Sequence, residues 1–191
     1  MMVTIGVVGS ARRGDEELPA HMLEVAEAVG RGVARAGAVL VSGGTGGVME
    51  AASRGAKLAG GLTVGFLPQA DLSHANPHLD LAFPTGLGTL RNALTARCCD
   101  AIVAIGGGVG TLNELTMAYD ARRPIVVVEG TTGWSDRLRA ALVDGAYLDD
   151  RRVVAVSFVD TADAAVRLAL ERAAEPRGLA AGSPLTGWAG L

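Results

Sequence analysis

The chain has 191 residues, of which 49% are hydrophobic and 19% are charged, and its formal net charge at pH 7 is −3. This composition predicts one globular domain with a full-sized core, and it offers no broad basic surface to nucleic acid or to an anionic membrane. No apolar run is long enough to span a bilayer, the first residues lack the basic segment of a signal peptide, and two adjacent cysteines do not make a disulfide framework. We therefore expect a cytoplasmic protein without nucleic-acid or membrane partners.

Short apolar runs alternate with longer helical segments along the chain. The predicted strands are residues 3–8, 38–41, 62–67, 101–105, 125–128 and 153–157. The predicted helices are residues 18–36, 47–59, 87–98, 111–121, 134–145 and 161–174. Most of the strands are nearly continuous in hydrophobicity, as strands buried on both faces are. The alternation predicts an α/β fold, with a doubly wound parallel sheet of six to seven strands and helices on both faces.

Two stretches depart from this alternation. Residues 68–84 are polar and contain three prolines, which predicts a long loop with a short strand near residues 79–83. Residues 175–191 are rich in Gly, Ala and Pro, and we expect a loosely ordered C-terminal tail there. We find no internal repeat, so residues 1–174 form the single predicted domain.

Three of the predicted strands run directly into loops that contain glycine. These loops hold Gly9 and Ser10; then Gly43, Gly44, Thr45, Gly46 and Gly47; and then Gly106, Gly107, Gly108, Val109, Gly110 and Thr111. In a parallel sheet they all lie at the carboxyl edge, where open α/β sheets bind ligands. Glycine lets an anion approach the backbone, and a helix N-terminus offers unpaired N–H groups. The loops predict a site for a phosphorylated small molecule, although each glycine alone could simply make a tight turn.

Two common phosphate-binding patterns are absent from these loops. The P-loop of ATPases needs a lysine after its last glycine, and the single lysine of the chain, Lys57, falls within a predicted helix. The dinucleotide fingerprint Gly-x-Gly-x-x-Gly is missing from the first loop, and the second strand ends in Ser42-Gly43 without an acid for a ribose hydroxyl. An ATPase P-loop is therefore excluded and an NAD dehydrogenase is disfavoured. We expect no bound cofactor.

Charged residues flank the predicted phosphate site. Glu114 lies one turn into the helix that opens at residues 106–111, and Arg91 begins the preceding helical region. A carboxylate can stabilise the oxocarbenium-like transition state of N-glycosidic bond hydrolysis, and an arginine can bind phosphate through two N–H groups. Taken alone, Glu114 also fits an acid favoured by the helix dipole, and Arg91 a solvated arginine. Arg12 and Arg13, after the first strand, are either phosphate contacts or part of a solvated loop.

No metal site is predicted. His74 and His78 have helical spacing for two metal ligands, but Pro77 breaks the helix that would align them. The loop that carries them is a candidate cover for a ligand. Cys98 and Cys99 are adjacent and lack the spacing of metal ligands, so core packing is their simplest role.

At these residues the sequence resembles the LOG (Lonely Guy) proteins, a family that has also been labelled "possible lysine decarboxylases". Residues 106–114 resemble the PGGxGTxxE motif of that family, and residues 43–49 resemble its GG-x-x-G-LM loop. Arg91 matches the arginine of the family's Met-x-x-Arg-Lys motif at the spacing that the family requires. Two positions depart from the motifs, with Gly106 in place of proline and Asn92 in place of lysine. These changes resemble a sister subgroup that is similar to molybdenum cofactor carrier proteins.

The resemblance implies a Rossmann-like homodimer that binds an AMP-like nucleotide and splits nucleoside 5′-monophosphates into base and ribose 5-phosphate. Arg91 and Glu114 are the implied catalytic pair. The residues expected to bind the phosphate or nucleotide are Gly9, Ser10, Gly43, Gly44, Thr45, Gly46, Gly107, Gly108, Gly110 and Thr111. Decarboxylation is not implied, because a pyridoxal Schiff base needs a lysine and Lys57 lies in the middle of a helix.

The carrier subgroup keeps a second hypothesis open. A non-catalytic protein could bind a nucleotide, or the pterin phosphate of the molybdenum cofactor, at the same glycine loops. Glu114 and Arg91 favour the enzyme, whereas Gly106 and Asn92 favour the carrier. For the homodimer, we expect the alanine-rich helices 47–59 and 87–98 to pack between subunits.

Overall fold

Seven parallel strands form the centre of the computed structural model, which describes residues 2–12, 14 and 17–175. The strands are β1 (Thr4–Gly9), β2 (Val39–Ser42), β3 (Thr63–Leu67), β4 (Leu81–Pro84), β5 (Ala101–Ile105), β6 (Ile125–Val128) and β7 (Val156–Val159). Their order in the sheet is β4-β3-β2-β1-β5-β6-β7, and every neighbouring pair is parallel. The predicted parallel sheet of six to seven strands is confirmed, and the short strand expected near residues 79–83 is β4.

Six α-helices in the described residues cover the two faces of the sheet. They are α1 (Ala20–Arg35), α2 (Val48–Leu58), α3 (Asn92–Cys98), α4 (Val109–Asp120), α5 (Gly133–Ala141) and α6 (Ala162–Ala174). Buried residues of α1, α2 and α6 pack on one face, and those of α3, α4 and α5 pack on the other. Both faces of the central strands are therefore buried, which explains their continuous hydrophobicity. The Rossmann-like, doubly wound α/β class is confirmed.

The strand order reverses direction at the centre of the sheet. From β1 the chain builds outward through β2, β3 and β4 on one side, and through β5, β6 and β7 on the other. Gly9, at the end of β1, lies beside Ile105, at the end of β5. The loops after β1 and β5 therefore leave the sheet side by side at a topological switch point, which is where doubly wound sheets bind ligands.

Three predicted elements differ from the structure by more than two residues at one end. The helix expected at residues 87–98 is a 3-10 turn at Gly88–Arg91 followed by the short α3, because Gly86 and Gly88 adopt positive φ values of 67° and 54°. The helix expected at residues 134–145 ends at Ala141.

The strand expected at residues 153–157 begins at Val156, three positions later. The N–H group of Val153 donates a hydrogen bond to the hydroxyl of Tyr119 (3.0 Å) and takes no part in the sheet. A contact between residues 34 positions apart therefore sets this boundary.

Helices α1 and α2 pack with their backbones in close contact. A Cβ atom at Gly30 would overlap the carbonyl oxygen of Ala52, and one at Gly55 would overlap the carbonyl oxygen of Glu27. This packing buries the alanine face of α2 inside the chain. That face is consequently not available to a second subunit, contrary to our expectation for this helix.

The C-terminal part of the predicted tail lies outside the described residues, which end at Glu175. No helix of the described part of the chain is both long enough and apolar enough to cross a membrane.

Candidate functional site

The loops after β1, β2 and β5 meet at the carboxyl edge of the sheet. Ser10, in the loop after β1, is hydrogen-bonded to both of the other chain segments. Its hydroxyl oxygen accepts a hydrogen bond from the N–H group of Gly107 (2.8 Å), and its carbonyl oxygen accepts one from Val48 at the start of α2 (3.0 Å). The hydroxyl of Thr111 donates to the carbonyl oxygen of Gly9 (3.1 Å). The structure thus brings the three predicted glycine loops together.

The N-terminus of α4 is open toward this meeting point. No side chain caps it and its first turn contains no acidic residue. Among the described residues, no acceptor is bound to the N–H groups of Gly108, Val109, Gly110 and Thr111. A Cβ atom at Gly108 or Gly110 would have no neighbour within 4 Å, so the space in front of these groups is open. Unpaired N–H groups and the positive end of the helix dipole favour an anion such as a phosphate here.

The turn after β6 holds the backbone of the loop that precedes α4. The hydroxyl oxygen of Thr131 accepts from the N–H group of Gly106 (2.8 Å), and the hydroxyl of Ser135 donates to the carbonyl oxygen of Gly106 (3.0 Å). The N–H group of Trp134 donates to the carbonyl oxygen of Gly107 (2.9 Å). We call Thr131–Ser135 the loop clamp. The sequence analysis missed it; its signal is the two hydroxyl residues Thr131 and Ser135 in the turn that follows buried strand β6.

Gly107 has a different place from the one that we expected. Its N–H group is bonded to Ser10 and is therefore not free for a phosphate. Gly106 and Gly107 adopt φ values of 63° and 104°, which a residue with a side chain rarely adopts. Both glycines shape the loop, and the free N–H groups begin at Gly108.

Arg91 and Glu114 form an ion pair beside the first turn of α4. Arg91 Nη1 lies 3.0 Å from Glu114 Oε1, and their side chains are only 11% and 7% exposed. The same nitrogen lies 3.3 Å from the hydroxyl oxygen of Thr95. The guanidinium group lies against Gly43, where a Cβ atom would stand 2.5 Å from two of its nitrogens. Gly43, predicted as a phosphate-binding residue, thus makes room for Arg91.

Burial changes the protonation chemistry of Glu114. Desolvation raises the pKa of this carboxyl group to about 7, although the charge of Arg91 and its hydrogen bond act in the opposite direction. A carboxyl group with such a pKa can be present in either protonation state near neutral pH, which is a property of acid–base and charge-stabilising groups in active sites.

Asn92, which occupies the lysine position of the family motif, is buried and neutral. Its side-chain amide donates to the side-chain oxygen of Asn113 (2.9 Å) and to the carbonyl oxygen of Gly110 (3.4 Å). This residue joins α3 to the first turn of α4. It places no positive charge at the site.

The second glycine loop is held from the other side by Asn76. The backbone N–H group of Asn76 donates to the carbonyl oxygen of Gly44 (2.9 Å). The side-chain amide of Asn76 donates to the carbonyl oxygen of Thr45 (3.3 Å). The N–H group of Gly44 is itself bonded to the hydroxyl oxygen of Ser42 (3.1 Å). The 68–80 segment therefore packs on the loop, and Thr45 and Gly46 remain along a cleft.

Two adjacent cavities at this edge are lined in part by Arg91. A recess of about 90 Å³ is lined by Gly9, Ala11, Met49, Arg91, Asn92, Gly108, Gly110, Thr111 and Glu114. A cleft of about 560 Å³ is lined by Ala11, Arg12, Thr45, Gly46, Glu50, Pro68, Gln69, Ser73, His74, Ala75, Asn76, Pro77 and Arg91. Ala11 and Arg91 line both, so the recess and the cleft are adjacent. In the described part of the chain, no group of three or more His, Cys, Asp or Glu side chains is arranged to hold a metal ion.

Comparison with known proteins gives a family and several relatives. The family model of the SLOG cluster4 family matches residues 2–163. The chain is 38% identical over 136 residues to a protein of Archaeoglobus fulgidus, a match that covers 68% of this chain and 85% of the relative. It is 32% identical over 160 residues to the cytokinin riboside 5′-monophosphate phosphoribohydrolase of Mycobacterium tuberculosis, covering 78% of this chain and 85% of the relative.

Solved structures share the fold over most of the chain. The X-ray structure of a structural genomics target has a TM-score of 0.84 at 36% identity, covering 89% of this chain and 99% of the other. The molybdenum cofactor binding protein of Rippkaea orientalis has a TM-score of 0.75 at 31% identity, covering 90% and 97%. The molybdenum cofactor carrier protein of Chlamydomonas reinhardtii has a TM-score of 0.75 at 28% identity, covering 92% and 100%. These matches confirm the resemblance to LOG-type proteins and to molybdenum cofactor carriers.

Proposed function

This chain belongs to the SLOG cluster4 family, and we propose that it binds a nucleoside 5′-monophosphate and hydrolyses its N-glycosidic bond, releasing the base and ribose 5-phosphate. The observation that carries the proposal is the buried Arg91–Glu114 pair beside the uncapped N-terminus of α4. Open backbone N–H groups and a carboxyl group with a pKa of about 7 lie together in one recess, which supports the proposal.

In this proposal the phosphate is bound by the backbone N–H groups from Gly108 to Thr111. The recess at α4 is small, so the ribose and base extend past Ala11 into the larger cleft. Arg91, which lines both cavities, is placed between the phosphate and the sugar. Its position is fixed by Glu114, Thr95 and the surface of Gly43.

Glu114 acts on the sugar in its ionised form. As the bond between C1′ and the base nitrogen breaks, positive charge develops on C1′ and the ring oxygen, and a nearby carboxylate stabilises that charge. A water molecule then adds its hydroxyl group to C1′, and its proton is transferred to the departing base. Because Glu114 is buried, its charge acts through a medium of low dielectric constant and is weakly screened.

A second candidate function is that of a non-catalytic carrier for a phosphorylated pterin cofactor. The observation that favours it is Asn92, a neutral residue at the position of the motif lysine. Its side-chain amide is hydrogen-bonded to α4. The likeness to two molybdenum cofactor proteins over at least 90% of the chain supports the same candidate. Both functions would use the N–H groups of α4 for the phosphate.

The two candidates are separated by one experiment. The purified protein is incubated with a panel of nucleoside 5′-monophosphates, release of ribose 5-phosphate is measured, and binding of the same nucleotides is measured by calorimetry. Hydrolase function predicts release of ribose 5-phosphate from at least one member of the panel. Tight binding without release from any of them would decide for the carrier.

A further inference from the structure

Helices α2 and α4 both follow glycine loops at the ligand edge, and their first turns are chemically different. The first turn of α4 contains no acidic residue and its N–H groups are open. The first turn of α2 contains Glu50, and the N–H group of Val48 is already bonded to Ser10. A carboxylate at this position compensates the positive end of the helix dipole. The protein therefore supplies its own anion at α2, and of these two helices α4 is the one that is open to the anion of a ligand.

The carboxylate of Glu50 faces the ligand edge. A Cβ atom at Gly46 would lie 3.5 Å from Glu50 Oε2, so the carboxylate lies over the second glycine loop. Its side chain is 27% exposed and lines the 560 Å³ cleft. Among the described residues, Glu50 forms an ion pair with Arg12, whose Nη2 lies 3.9 Å away and whose side chain is 60% exposed. Such a loose, exposed ion pair is worth little and leaves Glu50 accessible to a ligand.

The other charged groups of the cleft do not replace this carboxylate. Arg91 is buried and paired with Glu114. His74 is exposed at the rim. A ligand whose phosphate lies at α4 must reach the cleft past Ala11 and Arg91, so the part of it beyond the phosphate enters the space that Glu50 lines.

We propose that Glu50 is a specificity-determining residue that selects ligands with an anion at one end only. The carboxylate accepts hydrogen bonds from hydroxyl or amino groups beyond the phosphate, and it repels a second anion there. The inference rests on the proposed placement of the phosphate at α4. It adds to the proposed function a rule about the sugar and base: they carry hydrogen-bond donors and no negative charge.

The test compares two matched pairs of nucleotides by calorimetry on the full-length protein. AMP is compared with adenosine 3′,5′-bisphosphate, which adds an anion on the ribose, and UMP is compared with orotidine 5′-monophosphate, which adds one on the base. In the wild type, the pair whose added anion lies nearer to Glu50 should differ in Kd by about tenfold or more in favour of the singly anionic member. Glu50→Gln should reduce the difference to less than about threefold.

Glu24→Gln is the matched control, because Glu24 is exposed on α1 outside both cavities and the substitution changes the net charge equally. It should leave the difference unchanged. Equal affinities within both pairs in the wild type, or a difference that Glu50→Gln does not reduce, would overturn the inference. Because binding and not turnover is measured, a protein that shows the Glu50 effect without releasing ribose 5-phosphate contradicts only the hydrolase proposal.

Discussion

At the scale of single residues, Glu114 combines deep burial, an arginine partner and a position beside the proposed phosphate site. Glu114→Gln keeps the shape of the side chain and an oxygen for Arg91, and it removes the negative charge. We expect release of ribose 5-phosphate to fall by a factor on the order of 10²–10⁴, because the charge on C1′ is no longer stabilised. Nucleotide affinity should change far less, since the N–H groups of α4 are intact. Unchanged turnover would show that another group performs this role.

The pKa of Glu114 also predicts how the reaction depends on pH. Burial raises the pKa to about 7, so the carboxyl group is mostly protonated below that pH and mostly ionised above it. If the ionised form is active, kcat/KM should rise about tenfold per pH unit below pH 7 and level off above it. The residual activity of Glu114→Gln should not show this rise with pH. A wild-type profile that is flat between pH 5 and 8 would contradict the assignment.

At the scale of structural elements, the loop clamp determines how the loop before α4 is held. Thr131→Val leaves the N–H group of Gly106 without its acceptor, which typically costs about 1–3 kcal/mol when the group is buried. We expect the free energy of unfolding to fall by that amount in urea titrations, and Kd for the bound nucleotide to rise several-fold. Thr116→Val is the control, because Thr116 lies on the exposed side of α4. Equal effects of the two substitutions would contradict the prediction that the loop clamp holds the loop before α4.

The elements themselves were largely predictable from the sequence, because most strands are buried on both faces and read as continuous apolar runs. Arg91 and Glu114 were found through motifs, and the structure brings them together across 23 positions. The loop clamp and Asn76 were not found, because their roles depend on hydrogen bonds to backbone groups far away in the sequence. The same reason applies to Val153, whose N–H group bonds to Tyr119. The hydrophobic pattern of a sequence indicates which residues are buried. It carries no information about hydrogen bonds between residues that are far apart in the chain.

At the scale of the whole molecule, the β4 edge of the sheet is covered on one face by no helix of the described residues. Phe83 of the edge strand β4 stacks on Phe66 of β3, with ring centroids 5.5 Å apart, on the face that α3, α4 and α5 cover elsewhere. Leu81 and Phe83, and Leu87 and Leu90 of the adjoining segment, are exposed. Exposed apolar groups of this size often mark protein–protein contacts. We therefore propose that the expected homodimer forms through this surface rather than through α2.

Sedimentation velocity at micromolar concentration should give a dimer for the wild type. Phe83→Glu should shift the protein toward the monomer, because it places a charge in the centre of the apolar surface. Leu58→Glu is the control: Leu58 is also apolar and exposed, but it lies at the end of α2. A monomeric wild type would contradict the proposal, and a dimer that persists in Phe83→Glu would place the interface elsewhere.

The close contact between α1 and α2 has a consequence for how the site can respond to a ligand. These helices carry the loops after β1 and β2 on their N-terminal sides, and at Gly30 and Gly55 their backbones leave no room even for a methyl group. The two helices consequently form one preorganised body, and binding a ligand requires little conformational entropy from them. The 68–80 segment is a separate layer, which is joined to the loop after β2 through Asn76.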